Sequence, residues 1–240
     1  MKFLDLTLPT PAQNVACDEA LLQWRERDGG GEILRVWESP DPFVVIGYSN
    51  DGRAEVNLAA CRARNIPVLR RCSGGGAVVL GRGCLNYALI LEIARRPEIR
   101  TLADTNRFVM RQNRDAVQAC VTQPVEIHGA TDLCIAQVKF SGNSQRRGRR
   151  YALFHGSFLL DFELATIERL LPLPSKQPRY RNNRPHKDFL MNLCVEPDRV
   201  KNALRETWNA RDALKEIPTE PQLKRQAVVS VEEARSSLTV

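Results

Sequence analysis

The residues best suited to chemistry lie in Arg70-Arg71-Cys72-Ser73-Gly74-Gly75-Gly76-Ala77-Val78-Val79, followed closely by Leu85-Asn86. Glycine lets a turn take φ values closed to other residues and leaves no Cβ between a ligand and the backbone. Successive N–H groups in such a turn form an anion-binding concavity, and arginine adds a planar, permanently charged fork. The pattern suits a carboxylate or phosphate held against main chain. The apolar flanks Val68-Leu69 and Ala77-Val78-Val79-Leu80 tie the loop to folded structure and not to a linker.

A second candidate is Lys139, in Gln137-Val138-Lys139-Phe140-Ser141-Gly142-Asn143-Ser144. Strand alternation puts Val138 and Phe140 on one face and Lys139 with Ser141 on the other. A regular hairpin centred on residue 147 would set Lys139 opposite His155, with His155-Gly156-Ser157 adding small polar groups to the same face. A lysine ammonium there is a compact charge able to meet a carboxylate and a phosphate together.

These groups need elements to position them. Asn14 is the expected N-cap of a helix running to Gly29-Gly30-Gly31. Ile33–Trp37 and Phe43–Tyr48 read as strands around Ser39-Pro40-Asp41-Pro42, residues 54–64 as a helix, and Ile66–Arg70 and Leu85–Leu91 as strands. A long helix is expected at about 104–121, with Val109, Ala116, Val117, Cys120 and Val121 on one stripe. Two strands follow, Cys134–Ser141 and Tyr151–Phe162, joined by Arg146-Arg147-Gly148-Arg149-Arg150. Prolines make 172–185 a loop. A helix after Pro197 places Val200, Leu204 and Trp208 on one face, and Ser230-x-x-Glu233 could cap a short helix in the tail. Helices mixed irregularly with hairpins predict an α+β domain over residues 1–210 followed by a C-terminal tail, 211–240.

Composition narrows the function classes. The 240 residues suffice for one large core. No apolar run approaches the roughly 20 residues of a membrane span, and no signal-like core follows Met1-Lys2-Phe3-Leu4-Asp5, so a cytoplasmic protein is expected. The seven cysteines are scattered without a C-x-x-C pair, which fits reduced thiols better than disulfides or zinc. Only three histidines argue against a His-built metal centre. Residues 139–188 hold 11 Lys/Arg against 4 Asp/Glu, so this segment alone carries the net charge of +7. Such a surface meets anions: nucleotide phosphates, a carboxylate substrate or an acidic partner. An aromatic content of 6%, with no stacking platform among the arginines, argues against nucleic acid.

In order and spacing, these motifs resemble the lipoate–protein ligases of the biotin/lipoate ligase superfamily over roughly residues 14–193. The resemblance is carried by Asn14-x-Ala16-x-Asp18-Glu19-Ala20-Leu21, Arg35-Val36-Trp37, Val45-Ile46-Gly47, Glu55-Val56-Asn57, the glycine loop with Leu85-Asn86, Asp132-Leu133, Lys139-Phe140-Ser141-Gly142-Asn143 and His155-Gly156-Ser157. It implies a class II synthetase/biotin-ligase-like domain of mixed, mostly antiparallel sheets packed with helices. It also implies two half-reactions: lipoate and ATP give lipoyl-adenylate and pyrophosphate, then an acceptor lysine takes the acyl group. Lys139 would be the catalytic cation. Arg71, Ser73, Gly74, Gly75, Gly76, Ala77 and Asn86 would hold lipoyl and adenylate groups, with Asp132, Ser141, Gly142, Asn143, His155, Gly156 and Ser157. Trp37, Val45 and Gly47 would form the slot for the lipoyl tail, and Asp132 would meet Mg²⁺. The acceptors would be lipoyl domains of 2-oxoacid dehydrogenase complexes or a glycine cleavage H-type protein.

The sequence departs from the family's pattern at Leu80-Gly81, where His-Asp is usual, at Thr131-Asp132 in place of Asn-Asp, and at Gly47-Tyr48-Ser49-Asn50, which lacks a Gln. The expected domain leaves no space for an accessory domain of roughly a hundred residues, so a separate polypeptide would supply that module, or the chain would only transfer acyl groups. A rival within the superfamily is an octanoyltransferase using a Cys thioester, which needs a thiolate beside the lysine. Gln123-Pro124-Val125-Glu126 has no Cys there, and Cys120, Cys72 and Cys84 read as small buried thiols. The other rival is a non-catalytic module binding lipoyl domains or nucleic acid through residues 139–188.

Overall fold

A computed structural model of the chain describes residues 1–217. The first elements are β1 (Lys2–Asp5), α1 (Pro11–Asp28), β2 (Ile33–Trp37), β3 (Phe43–Ile46), α2 (Gly52–Glu55), α3 (Leu58–Ala63), β4 (Val68–Arg70), β5 (Val78–Leu80) and β6 (Cys84–Glu92). They are followed by α4 (Leu102–Gln118), β7 (Glu126–His128), β8 (Asp132–Ile135), β9 (Val138–Arg147), β10 (Tyr151–Leu159), α5 (Leu164–Leu170), α6 (His186–Phe189), α7 (Pro197–Thr207) and β11 (Asp212–Ala213). An eight-stranded sheet runs β11-β1-β2-β6-β10-β9-β8-β7, and a three-stranded sheet runs β4-β3-β5. Pairing is antiparallel except at β1–β11, β1–β2 and β3–β4. This is the expected α+β architecture.

Each face of the large sheet has its own cover. Leu34, Leu89 and Phe154 pack with Val109 and Val117 of α4 and Val200 and Leu204 of α7, while Ile33, Ile90 and Leu153 pack with Leu21 and Leu22 of α1. The small sheet has a separate core with Cys61, Ile167 and Leu170. Cys120 lies just past the end of α4 and is buried in the first cluster, as its stripe predicts. No helix among the described residues is long and apolar enough to cross a membrane. The expected helix at Ser230–Glu233 lies outside the described residues.

Four local expectations are corrected. Helix α1 starts a turn earlier than Asn14, because Thr10-Pro11-x-Gln13 supplies a complete capping box with proline at the first helical position. Asn14 instead ties the helix to the preceding chain, accepting from Leu8 N and donating to Leu8 O at 2.8 Å each. The helix expected at 54–64 is two, split where Val56 turns extended and Asn57 caps α3 by accepting from Ala60 N. The strand expected at 134–141 is a hairpin, β8–β9, turned by Ala136 and Gln137, both left-handed at φ 48 and 62. Neither residue type advertises such a turn.

The fourth correction concerns Lys139. Hairpin β9–β10 pairs Ala152 with Arg147 and His155 with Ser144, so His155 does not face Lys139. The neighbour of Lys139 is Cys134 of β8. Between the pairs Leu133–Ser141 and Cys134–Lys139, residue Phe140 is extra. Such a bulge breaks the two-residue alternation and re-aims a side chain. Lys139 therefore shares a face with Gly142, three residues on, where a Cβ would stand 2.8 Å from its Nζ. Ser141 moves to the opposite face, in register with Phe158 and Leu133 of the core, and is fully buried.

Candidate active site

Five adjacent strands set one row of residues across the large sheet: Trp37, Asn86, Ser157, Gly142 and Asp132, each paired with the next. Small side chains in the middle of the row leave a floor. The glycine loop, linking β4 to β5, lies opposite it. Between them is a cavity of about 340 Å³, closed on a third side by Pro174, Lys176, Pro178 and Arg181 of the proline-rich loop. Every candidate residue from the sequence lines this cavity except Gly47, Ser73, Gly74 and Ser141.

The exceptions have structural duties. A Cβ at Gly47 would overlap the Gly75 carbonyl oxygen, so Gly47 lets the loop lie against β3 and is not a wall of the tail slot. Gly75 itself holds φ 90, a conformation that favours glycine. Ser141 accepts from Asn143 Nδ2 at 3.2 Å behind the sheet. Asn143 also donates to Thr131 O at 2.8 Å and accepts from the buried Tyr87 hydroxyl at 2.6 Å. It thereby fixes the segment that presents Asp132.

Arg71 is buried, and it donates to Gly74 O from Nη2 at 2.6 Å and from Nε at 3.1 Å, to Gly76 O at 2.8 Å and to Val45 O at 3.4 Å. Its burial lowers its pKa to about 10, which leaves it charged at neutral pH. The guanidinium thus takes the loop's carbonyl oxygens. The Gly75 and Gly76 amides donate to no protein acceptor among the described residues, and both residues line the cavity. A carbonyl-capped loop with spare N–H groups is an anion cradle.

Across the cavity, Lys139 Nζ stands 2.7 Å from Asp132 Oδ1. The other carboxylate oxygen accepts from the Tyr180 hydroxyl at 2.7 Å. Burial and the Asp132 charge push the Tyr180 pKa up, so this phenol stays a donor. Sequence reading missed Tyr180, because a tyrosine in a proline-rich loop carries no spacing signal. It also missed the chain running from Arg35 through Asp18 and His155 to Ser73, whose members are far apart in sequence. Asp18 accepts from Arg35 at 2.7 Å and from His155 Nδ1 at 3.1 Å, and His155 Nε2 lies 2.6 Å from Ser73 Oγ.

No cysteine lines the cavity among the described residues. Burial pushes the thiols of Cys72 and Cys84 up to about 12 and those of Cys17 and Cys134 up to about 11, so all four are protonated at neutral pH.

Comparison with known proteins places the chain in a family. A protein of Aeropyrum pernix provisionally named lipoate-protein ligase A is 27% identical over 214 residues, covering 89% of this chain and 76% of that one. The octanoyltransferase LipM of Oceanobacillus iheyensis is 25% identical over 231 residues, covering 86% and 83%. The chain spans about half the length of the Mycoplasma and Staphylococcus lipoate–protein ligases it matches. In fold it resembles the bi-partite lipoate protein ligase of Thermoplasma acidophilum, solved in work that included its E2 lipoyl domain, with a TM-score of 0.76, 24% identity and coverage of 94% and 89%. Residues 10–206 match the family described as lipoyl protein ligase A/B catalytic domain. The chain belongs to that family.

Proposed function

We propose that the protein is an ATP-dependent lipoate–protein ligase that forms an acyl-adenylate from lipoate or octanoate and passes the acyl group to a lysine of a lipoyl acceptor domain. The observation that carries this reading is the pairing, across one cavity, of the Lys139 ammonium with the unoccupied amides of the glycine loop. The acyl carboxylate would lie between them. Lys139 would leave Asp132 for the α-phosphate, offsetting charge as the carboxylate oxygen attacks, and would then stabilise AMP as leaving group. Trp37, Val45 and Ala77, on the apolar wall, suit the acyl tail. Magnesium bound chiefly through phosphate oxygens needs only one or two protein carboxylates. Asp132 fits that demand, and the ion would ease charge build-up on the phosphates. No group of three His, Cys, Asp or Glu side chains able to hold a metal unaided occurs among the described residues.

The cysteines favour a ligase over an octanoyltransferase working through a thioester. That chemistry needs a thiolate at the cavity wall, whereas no cysteine lines the cavity among the described residues, and half-buried Cys72 and buried Cys84 beside the glycine loop are protonated. An H-type protein would serve as acceptor on the same terms, and a separately encoded accessory domain would supply whatever activation needs beyond this chain. The deciding assay is pyrophosphate release from ATP and Mg²⁺ with lipoate or octanoate. Acyl transfer from acyl carrier protein without ATP, abolished by a single Cys→Ser change, would replace this reading with the transferase.

A further inference from the structure

The buried chain Arg35–Asp18–His155–Ser73 runs along the cavity face of the large sheet, from β2 and α1 to the glycine loop, and none of its bonds is required by the acyl chemistry above. Its proton positions follow from the groups themselves. Asp18 presents carboxylate oxygens, which only accept, and Arg35 donates to one of them at 2.7 Å. His155 must therefore carry its proton on Nδ1, facing Asp18 at 3.1 Å. In the neutral ring Nε2 is then an acceptor. The Ser73 hydroxyl, 2.6 Å away, donates to it. Ser73 Oγ in turn accepts from Arg71 Nε at 3.2 Å, the same nitrogen that reaches Gly74 O at 3.1 Å. Ser144, the register partner of His155, donates to that same Gly74 oxygen at 2.8 Å.

We infer that Asp18 and His155 are positioning residues which, by fixing the His155 tautomer, set the Ser73 hydroxyl as a donor and hold the glycine loop with its carbonyls on Arg71 and its amides spare. A trans peptide points its N–H opposite to its C=O, so whatever pins Gly74 O also aims the Gly75 amide. This inference rests on the reading that the loop binds the acyl carboxylate. The tautomer and the loop conformation can nevertheless be measured without it.

The test is Asp18→Asn. Arg35 would take the Asn carbonyl and leave its NH₂ facing Nδ1, which forces the proton to Nε2. Nitrogen NMR of this three-histidine protein should show Nδ1–H at His155 in the parent and Nε2–H in the variant. The Gly74–Gly76 amide signals should shift with it. Lipoate affinity, read by calorimetry without ATP, should fall about 10- to 100-fold, as losses of supporting partners behind a binding group do elsewhere. In a Ser73→Ala background the Asp18 change should add nothing, because the recipient of the signal is gone. Should Asp18→Asn fail to fold, His155→Asn keeps a group opposite Asp18 and removes the acceptor for Ser73, and must give the same glycine-amide shifts. An Nε2–H ring in the parent, unmoved glycine amides, or full additivity of the Asp18 and Ser73 changes would each overturn the relay. Absence of any lipoate or octanoate binding by the parent would instead count against the ligase reading, with the NMR arms still deciding the relay.

Discussion

Two cation–carboxylate pairs in this molecule have the same 2.7 Å separation and opposite characters. Arg35 and Asp18 are 0% and 5% exposed, and Arg35 also donates to Leu6 O, Asn14 O and Asn14 Oδ1. Its donors are spent on framework. Lys139 and Asp132 are 23% and 14% exposed, on the wall of the cavity. An ammonium that keeps contact with water can change partners without a large desolvation cost, whereas a sealed guanidinium cannot. Enclosure separates a strut from a cation able to change partners.

The largest expected effect comes from breaking the strut. Arg35→Ala leaves Asp18 buried without its main partner and should cost about 3–5 kcal/mol in urea unfolding. A loss below about 1 kcal/mol would erase the contrast between the pairs. Lys139→Ala should reverse the pattern. Pyrophosphate release should drop by about 100- to 1,000-fold, with unfolding free energy within about 1 kcal/mol of the parent. Normal turnover would remove the central role given to this residue.

Asp132→Asn sharpens the comparison, since it keeps an acceptor for Tyr180 but removes the charge facing Lys139. The KM for ATP should rise about tenfold, equivalent to about 1.4 kcal/mol, with little change in unfolding. The thiols come next. At pH 8, iodoacetamide should modify exposed Cys194 well before Cys72 or Cys84, whose pKa values stand near 12. Early labelling of Cys72 would reopen the transferase.

The smallest effect is one of pH. Burial lowers the pKa of His186, which lies within hydrogen-bonding distance of Pro172 O (Nε2, 3.2 Å) and Arg181 (Nδ1, 3.4 Å) beneath the proline-rich loop. The unfolded chain takes up this proton more readily than the folded one. The contribution of His186 is therefore complete above its ordinary pKa of 6.5 and is lost as pH falls below it. Urea midpoints should decline from pH 7.5 to 5.5, and His186→Gln should flatten that slope.

Most of the residues that line the cavity were legible because they are of types that are rare in combination. Three successive glycines after two arginines predicted an anion cradle, and the loop stands where those residues put it. Arg71 differs in its employment. Its charge was visible in the sequence, but the carbonyls that capture it come from the folded turn. Lys139 was found by its neighbours, yet the argument from strand alternation and hairpin register failed. A left-handed Ala136-Gln137 turn and a bulge at Phe140 carry no compositional mark, and together they replaced His155 by Cys134 across the strand and turned Ser141 inward. The helices α4 and α7 were readable from period alone, since a buried stripe must repeat every 3.6 residues.

By itself the sequence determined the inventory: which loop could bend back on its amides, which cation stood near it, which helices had an apolar side, and that the positive charge sits in one segment. Those are properties of single residues and of near neighbours, and covalent spacing enforces them. Only the tertiary structure decided who meets whom. Asp18, Ser73 and His155 converge from three separate elements, as do Asp132, Lys139 and Tyr180, because register, bulges and sheet order are settled by packing over the whole chain, where each local preference is worth too little to prevail alone.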